Sequence, residues 1–146
     1  MDPADPVLSV LFVDDDEDLL IIARLFLEKS GDIRVTSAAS ARGALDSPLI
    51  GTYDAIVSDY LMEGMDGIGF LKAVRASYGD IPFIFFTGKG REEVFSEAID
   101  NGADYILEKS GEPALEFAEL TRMIRLAVEK RWSRKERDRP EEMLPQ

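Results

Sequence analysis

The stretch VLSVLFVDDD, residues 7–16, decides the fold. Its first seven residues are apolar except for Ser9, and such a run is typical of a strand that is covered on both faces. Three aspartates, Asp14, Asp15 and Asp16, follow at the point where this strand is predicted to end. The stretch therefore predicts a buried strand that delivers carboxylates to one edge of a sheet.

The same arrangement recurs three more times along the chain. Apolar runs at 55–58, 81–86 and 105–107 end in Asp59, in Thr87, and in Glu108 with Lys109, respectively. Helical patterns lie between these runs, and a shorter strand is predicted at 33–36. The order of strand and helix, repeated five times, predicts an α/β fold. We expect a flavodoxin-like, doubly wound, five-stranded parallel sheet with five helices and strand order 2-1-3-4-5.

The carboxyl ends of parallel strands share one edge of the sheet, so these polar residues are expected to converge. Carboxylates about 4 Å apart repel by roughly 4 kcal/mol at an effective dielectric near 20, and a bound cation relieves that repulsion. Mg²⁺ fits best, because it prefers one or two carboxylates, a carbonyl oxygen and water. An aspartate can also attack phosphorus, while a lysine and a hydroxyl group neutralise the phosphoryl oxygens.

Each of these residues also has a purely structural interpretation. The aspartate triplet could cap the following helix, Asp59 could begin a turn, and a lysine at a strand end is usually solvated. It is improbable that four strand ends would carry this set of residues together by chance. The combination therefore favours phosphoryl chemistry.

Composition restricts the partners of the chain. Its 146 residues carry a net charge of −12, with a calculated pI of 4.4, which opposes binding to nucleic acid or to an anionic membrane. No cysteine or histidine is present, so a histidine that passes on a phosphoryl group must belong to another protein. Residues 1–6 do not resemble a signal peptide, and no apolar run is long enough to span a membrane. A cytoplasmic protein is expected.

The domain organisation predicted from composition has three parts. Residues 1–6 are expected to be disordered and residues 7–129 to form the folded domain. The highly charged segment 130–146 is predicted to be a helical extension followed by a disordered tail or linker.

Four motifs resemble the receiver domain of two-component response regulators, a family that includes the single-domain chemotaxis regulators. The matching stretches are LFVDDD at 11–16, SDYLMEGMDG at 58–67, IPFIFFTG at 81–88 and GADYILEK at 102–109. The resemblance spans about residues 7–127, and the four motifs together are highly specific.

The resemblance implies a role for each residue of the predicted site. Asp59 is the phosphoacceptor, and Asp14 and Asp15 form the acidic pair that binds magnesium together with Asp59 and the backbone carbonyl of Leu61. The side chains expected to contact the phosphoryl group are those of Thr87 and Lys109.

The resemblance also implies a signalling function and its partners. The chain would be a phosphorylation-activated switch in a phosphorelay, which phosphorylates and dephosphorylates itself rather than turning over substrate as a conventional enzyme. A histidine kinase would supply the phosphoryl group, and a downstream protein or an attached sensory or kinase module would receive the signal. A second copy of the chain could pack against the fourth and fifth helices.

The sequence departs from the family pattern at two positions that bear on the site. Glu63 stands where proline is usual and adds a carboxylate to the loop after the phosphoacceptor. Ile106 stands where many receivers carry an aromatic ring, and Tyr105 is predicted to face the opposite side of the strand.

Two other functions are alternatives for this set of residues. A haloacid-dehalogenase-type phosphatase would use Asp14 and Asp16 as its aspartate pair, but Asp18 stands where its motif expects threonine or valine. A phosphorylation-independent interaction module would need no such site. The complete set of carboxylates, hydroxyl and lysine argues against it.

Overall fold

The computed structural model describes residues 7–88 and 92–137. Its elements alternate regularly along the chain, and a short 3₁₀ helix at Ile50–Thr52 precedes the third strand. The strands are β1 (Leu8–Val13), β2 (Ile33–Ala38), β3 (Ala55–Ser58), β4 (Phe83–Thr87) and β5 (Tyr105–Glu108). The helices are α1 (Glu17–Glu28), α2 (Ala41–Asp46), α3 (Gly67–Tyr78), α4 (Glu92–Asp100) and α5 (Pro113–Arg137).

All five strands pair in parallel, in the order β2-β1-β3-β4-β5, which confirms the predicted topology. Helices cover both faces of the sheet. One buried cluster joins the sheet to α1 and α5, and includes Phe12, Phe86 and Phe117; the other joins it to α2, α3 and α4. Burial on both faces explains why the strand segments read as continuous apolar runs.

The edge of the sheet opposite the carboxyl ends of the strands is held together by Arg75. Its guanidinium donates to the carbonyls of Gly79, Ile81 and Gly102 at 2.7–3.3 Å and lies 3.5 Å from a carboxylate oxygen of Asp104. These bonds join the end of α3 to the loops that precede β4 and β5. Strands β4 and β5 are thereby fixed at their amino ends.

The last helix continues without a break to Arg137 and returns to this edge. Arg131 Nε lies 3.2 Å from Asp80 Oδ1, and an Arg134 nitrogen lies 3.6 Å from Asp80 Oδ2. The nearby arginines hold the pKa of Asp80 below its usual value, against the effect of its partial burial. The predicted domain boundary at 129 stays a prediction. The segments predicted to be disordered, residues 1–6 and the tail from residue 140, lie outside the described residues.

We expect Asp80→Asn to release the end of α5 with little effect on global stability. The Asp80 side chain is 55% exposed, so its ion pairs are worth less than about 1 kcal/mol in the free energy of unfolding. Limited trypsin digestion should cut faster after residues 130–135 in this variant than in the parent. Asp100→Asn, an exposed aspartate at the end of α4, is the matched control. Equal cleavage rates in all three proteins would show that Asp80 does not hold the helix.

Among residues 7–88 and 92–137, no helix combines the length and the apolar character that crossing a membrane requires.

Candidate functional site

Two adjacent strands place Asp14 and Asp59 next to each other. In the parallel register of β1 and β3, Val13 lies opposite Ser58, and the amide of Asp59 donates to the carbonyl of Val13 at 3.0 Å. The residues that follow these strand ends must therefore be neighbours. The juxtaposition predicted from the apolar runs is a direct result of strand register.

Three carboxylates form an acidic cluster at this edge. Asp14, Asp15 and Asp59 each offer an oxygen, and these oxygens lie within 4.8 Å of one another. The Asp14 residue is only 1% exposed and the Asp59 side chain 12%, whereas Asp15 is exposed. A cluster of oxygen ligands with one open side can bind a metal ion, and its chemistry suits a hard cation such as Mg²⁺.

Burial raises the pKa of Asp14 above its ordinary value, and the charge of Asp59 adds to that effect. Two groups oppose it. The amide of Asp16 donates to Asp14 Oδ1 at 2.9 Å, and the ammonium of Lys109 lies close by. The carboxylate is thus held in a position where a nearby positive charge is favourable.

Lys109 connects the two buried aspartates. Its Nζ lies 3.1 Å from Asp14 Oδ2 and 3.5 Å from Asp59 Oδ2, and the ammonium also lies 5.6 Å from the centre of the Phe86 ring. Among residues 7–88 and 92–137, one ammonium faces three carboxylates, so this part of the site is net negative. That imbalance favours a further cation.

A backbone hydrogen bond joins Thr87 to Lys109 at the site. Thr87 is the last residue of β4 and is buried, and its carbonyl accepts from the Lys109 amide at 2.7 Å. Thr87 therefore ends β4, and Lys109 follows directly after β5, whose last residue, Glu108, lies opposite Thr87.

The loop after β3 borders the cluster. The amide of Tyr60 donates to Asp59 Oδ1 at 2.8 Å, and the amide of Glu63 donates to Asp15 Oδ2 at 3.4 Å. Leu61 lies between these two contacts with its side chain directed to solvent, 72% exposed. The backbone at residue 61 thus lies between two residues whose amides contact the cluster, and the role of its carbonyl stays a prediction.

Asp16 is not part of the cluster. It is the N-cap of α1, with its carboxylate accepting from the Leu19 amide at 3.2 Å. A phosphatase of the haloacid dehalogenase type would need this residue in the site, so its position argues against that alternative. The helix begins at Glu17, directly after this cap.

Gly67 is a positioning residue that the sequence prediction missed. A Cβ atom at this position would overlap the carbonyl oxygen of Asp59 and would lie 2.6 Å from the Phe85 ring and 2.9 Å from Tyr60 Cα. The amide of Gly67 donates to the Tyr60 carbonyl at 2.8 Å and closes the loop. The sequence gives no clear signal of this role, because glycine is unfavourable by about 1 kcal/mol relative to alanine only in a helix interior, and Gly67 is the first residue of α3.

The two neighbouring residues in β5 face opposite sides, as predicted. Tyr105 packs on the side of α1 and α5, whereas Ile106 packs on the side of Phe85 and α3. Register places Ile106 opposite Phe85, two residues before Thr87 on β4. The aliphatic side chain of Ile106 thus lies next to Phe85, two residues from Thr87 toward the amino ends of the strands.

Solved structures define the class of protein first. The receiver domain of the Francisella response regulator 1452 superimposes with a TM-score of 0.72 at 30% identity, over 84% of this chain and 98% of that one. The chemotaxis response regulator CheY4 of Vibrio cholerae superimposes with a TM-score of 0.71 at 31% identity, over 80% and 98% of the two chains. Both share the flavodoxin-like receiver fold.

Sequence comparisons then give the family. The model of the response regulator receiver domain matches residues 10–124. The response regulator Rre1 of Synechocystis is 33% identical over 112 residues, which is 75% of this chain and 48% of that protein. The regulatory protein DctD of Rhizobium meliloti is 37% identical over 99 residues, 67% of this chain and 21% of that protein. The chain belongs to the response regulator receiver family of two-component systems, and it spans half or less of the length of these relatives.

Proposed function

We propose that this chain is a phosphorylation-activated switch in which Asp59 accepts a phosphoryl group from the histidine of a kinase, with Mg²⁺ bound beside it. The observation that carries the proposal is the position of Lys109, which contacts Asp14 and Asp59 within a cluster of three carboxylates. Family membership implies a histidine kinase as the partner, and this chain contains no histidine of its own.

In the proposed reaction, a carboxylate oxygen of Asp59 attacks the phosphorus atom of the donor. The bond from phosphorus to the donor nitrogen breaks as the bond to Asp59 forms, and the product is an acyl phosphate. The amide of Tyr60 orients the Asp59 carboxylate through its bond to Oδ1. Lys109 already lies 3.5 Å from the other oxygen and can transfer its contact to the incoming phosphoryl group.

The remaining side chains neutralise charge. Asp14, Asp15, Asp59 and the carbonyl of Leu61 would hold the metal ion, which supplies positive charge to the phosphoryl oxygens when bound. The Thr87 hydroxyl would donate a hydrogen bond to one of those oxygens, since Thr87 ends β4 and its carbonyl accepts from the amide of Lys109. These groups act mainly by position and charge, which is what phosphoryl transfer requires.

The site lies beside a surface that suits a protein donor. Ile21 and Leu25 on α1 are both exposed, and with Glu17, Leu20 and Arg24 they line a shallow groove next to β2. Because α1 begins directly after Asp16, the groove lies on the helix that follows the acidic cluster, and we propose that the kinase contacts it. We propose that the chain meets its kinase in the cytoplasm.

The output of the switch is proposed to leave through the last helices. A downstream protein, an attached module or a second copy could bind α4 and α5, which expose Ile99, Leu115 and Leu126. The charged segment from residue 130 would then act as a helical extension of the domain and, further on, as a linker.

We expect acetyl phosphate and Mg²⁺ to add one phosphoryl group to the parent protein, measured by intact mass spectrometry. Chelation of the metal by EDTA should prevent the addition, because the acidic cluster would then repel the incoming anion. Release of inorganic phosphate should be slow and limited by decay of the acyl phosphate, whereas a phosphatase would show many turnovers. If no adduct forms with Mg²⁺, the interaction module becomes the better interpretation.

A further inference from the structure

Glu63 lies next to the acidic cluster but has no role in the proposed reaction. Its amide donates to Asp15 Oδ2 at 3.4 Å, and the residue is exposed. The backbone of residue 63, which carries this side chain, therefore lies next to one of the cluster carboxylates.

Three contacts of the surrounding loop prevent Glu63 from moving away. The preceding residue, Met62, is buried in the core on the side of α3. At the end of the loop, Gly67 donates to the Tyr60 carbonyl at 2.8 Å and packs on the backbone of Asp59 without room for a side chain. Residue 63 is thus held in place from both sides and through its own amide.

The charge of Glu63 acts in opposite directions on the two ligands of this site. Within the described part of the chain, three carboxylates outnumber the Lys109 ammonium, and a further carboxylate strengthens the attraction for a divalent cation. The same charge repels a phosphoryl group and its anionic donor. If Glu63 had a merely structural role, its replacement would lower both the affinity for Mg²⁺ and the rate of phosphorylation.

We propose that Glu63 raises the affinity of the site for Mg²⁺ and slows the phosphorylation of the site by an anionic donor. This inference rests on the proposed function. Since Glu63 is exposed, water and salt screen its charge, and we expect an effect of about 3- to 10-fold on each quantity at low ionic strength.

The test is isothermal titration of Glu63→Gln with MgCl₂ at low salt, combined with the rate of phosphorylation by acetyl phosphate at saturating Mg²⁺. The variant should bind Mg²⁺ more weakly and react faster than the parent, and both differences should shrink at high salt. Glu63→Asp should behave like the parent. Glu112→Gln, an exposed glutamate in the loop after β5, is the matched control and should also match the parent.

The outcomes separate this inference from the proposed function. If the parent binds Mg²⁺ and becomes phosphorylated while Glu63→Gln has the same affinity, only the role of Glu63 is wrong. If the variant loses both affinity and rate, Glu63 has a structural role and the inference also fails. A parent that neither binds Mg²⁺ nor accepts a phosphoryl group overturns both.

Discussion

Asp59→Asn is expected to abolish phosphorylation by acetyl phosphate completely. An asparagine has the same shape, but its neutral amide is not a nucleophile toward phosphorus under these conditions. The fold should be retained, because the substitution keeps an oxygen for the Tyr60 amide and removes one negative charge from a repulsive cluster. We therefore expect thermal stability equal to that of the parent or higher.

Asp16→Asn is the matched control for this experiment. Asp16 lies two residues after Asp14, but it caps α1, and asparagine is an equally good N-cap. This variant should gain one phosphoryl group as the parent does. An Asp59→Asn protein that is modified as fully as the parent would refute the assignment of the phosphoacceptor. Loss of the adduct in Asp16→Asn alone would revive the phosphatase interpretation.

Gly67→Ala is expected to lower the free energy of unfolding by about 3 kcal/mol, because the new methyl group would overlap backbone atoms that cannot move independently. The closest of these atoms is the carbonyl oxygen of Asp59, so the displacement occurs at the phosphoacceptor itself. We also expect slower phosphorylation of the folded variant. Urea denaturation followed by circular dichroism gives the stability, and intact mass gives the rate.

Gly69→Ala provides the comparison within the same helix. Its Cβ would meet the flexible side chain of Met65 at 3.0 Å, and alanine is favoured over glycine in a helix by about 1 kcal/mol. This variant should be as stable as the parent or slightly more so. Equal stability of the Gly67→Ala and Gly69→Ala proteins would show that the close approach at Gly67 can be relieved.

The candidate site could be predicted largely because it is built from strand ends. A strand buried on both faces has a clear sequence pattern, and its last apolar residue shows where the next side chain will emerge. Asp14, Asp59, Thr87 and Lys109 were identified in this way, and strand register brings them to one edge. Their chemical roles rest on the family resemblance and remain proposals.

Other features could not be predicted, because they depend on contacts between segments far apart in the chain. The importance of Gly67 depends on the backbone of Asp59 and the ring of Phe85, and the position of Asp80 depends on arginines about fifty residues further on. Neither contact leaves a local pattern. The residue pattern alone does not separate Asp16 from the cluster, since a capping aspartate and a ligand look alike in sequence; the family resemblance assigned Asp14 and Asp15 to the metal, and Asp16 caps α1.

The sequence by itself determined the order of elements, the parallel sheet and the set of residues at its edge, since each follows from apolar periodicity within a single segment. Only the tertiary structure decided how close the carboxylates of the site lie to one another, how Lys109 lies between two of them, and why the loop carrying Glu63 stays beside them. Those outcomes depend on distances between atoms of different segments. Such distances are fixed only when the strands pair and the helices pack.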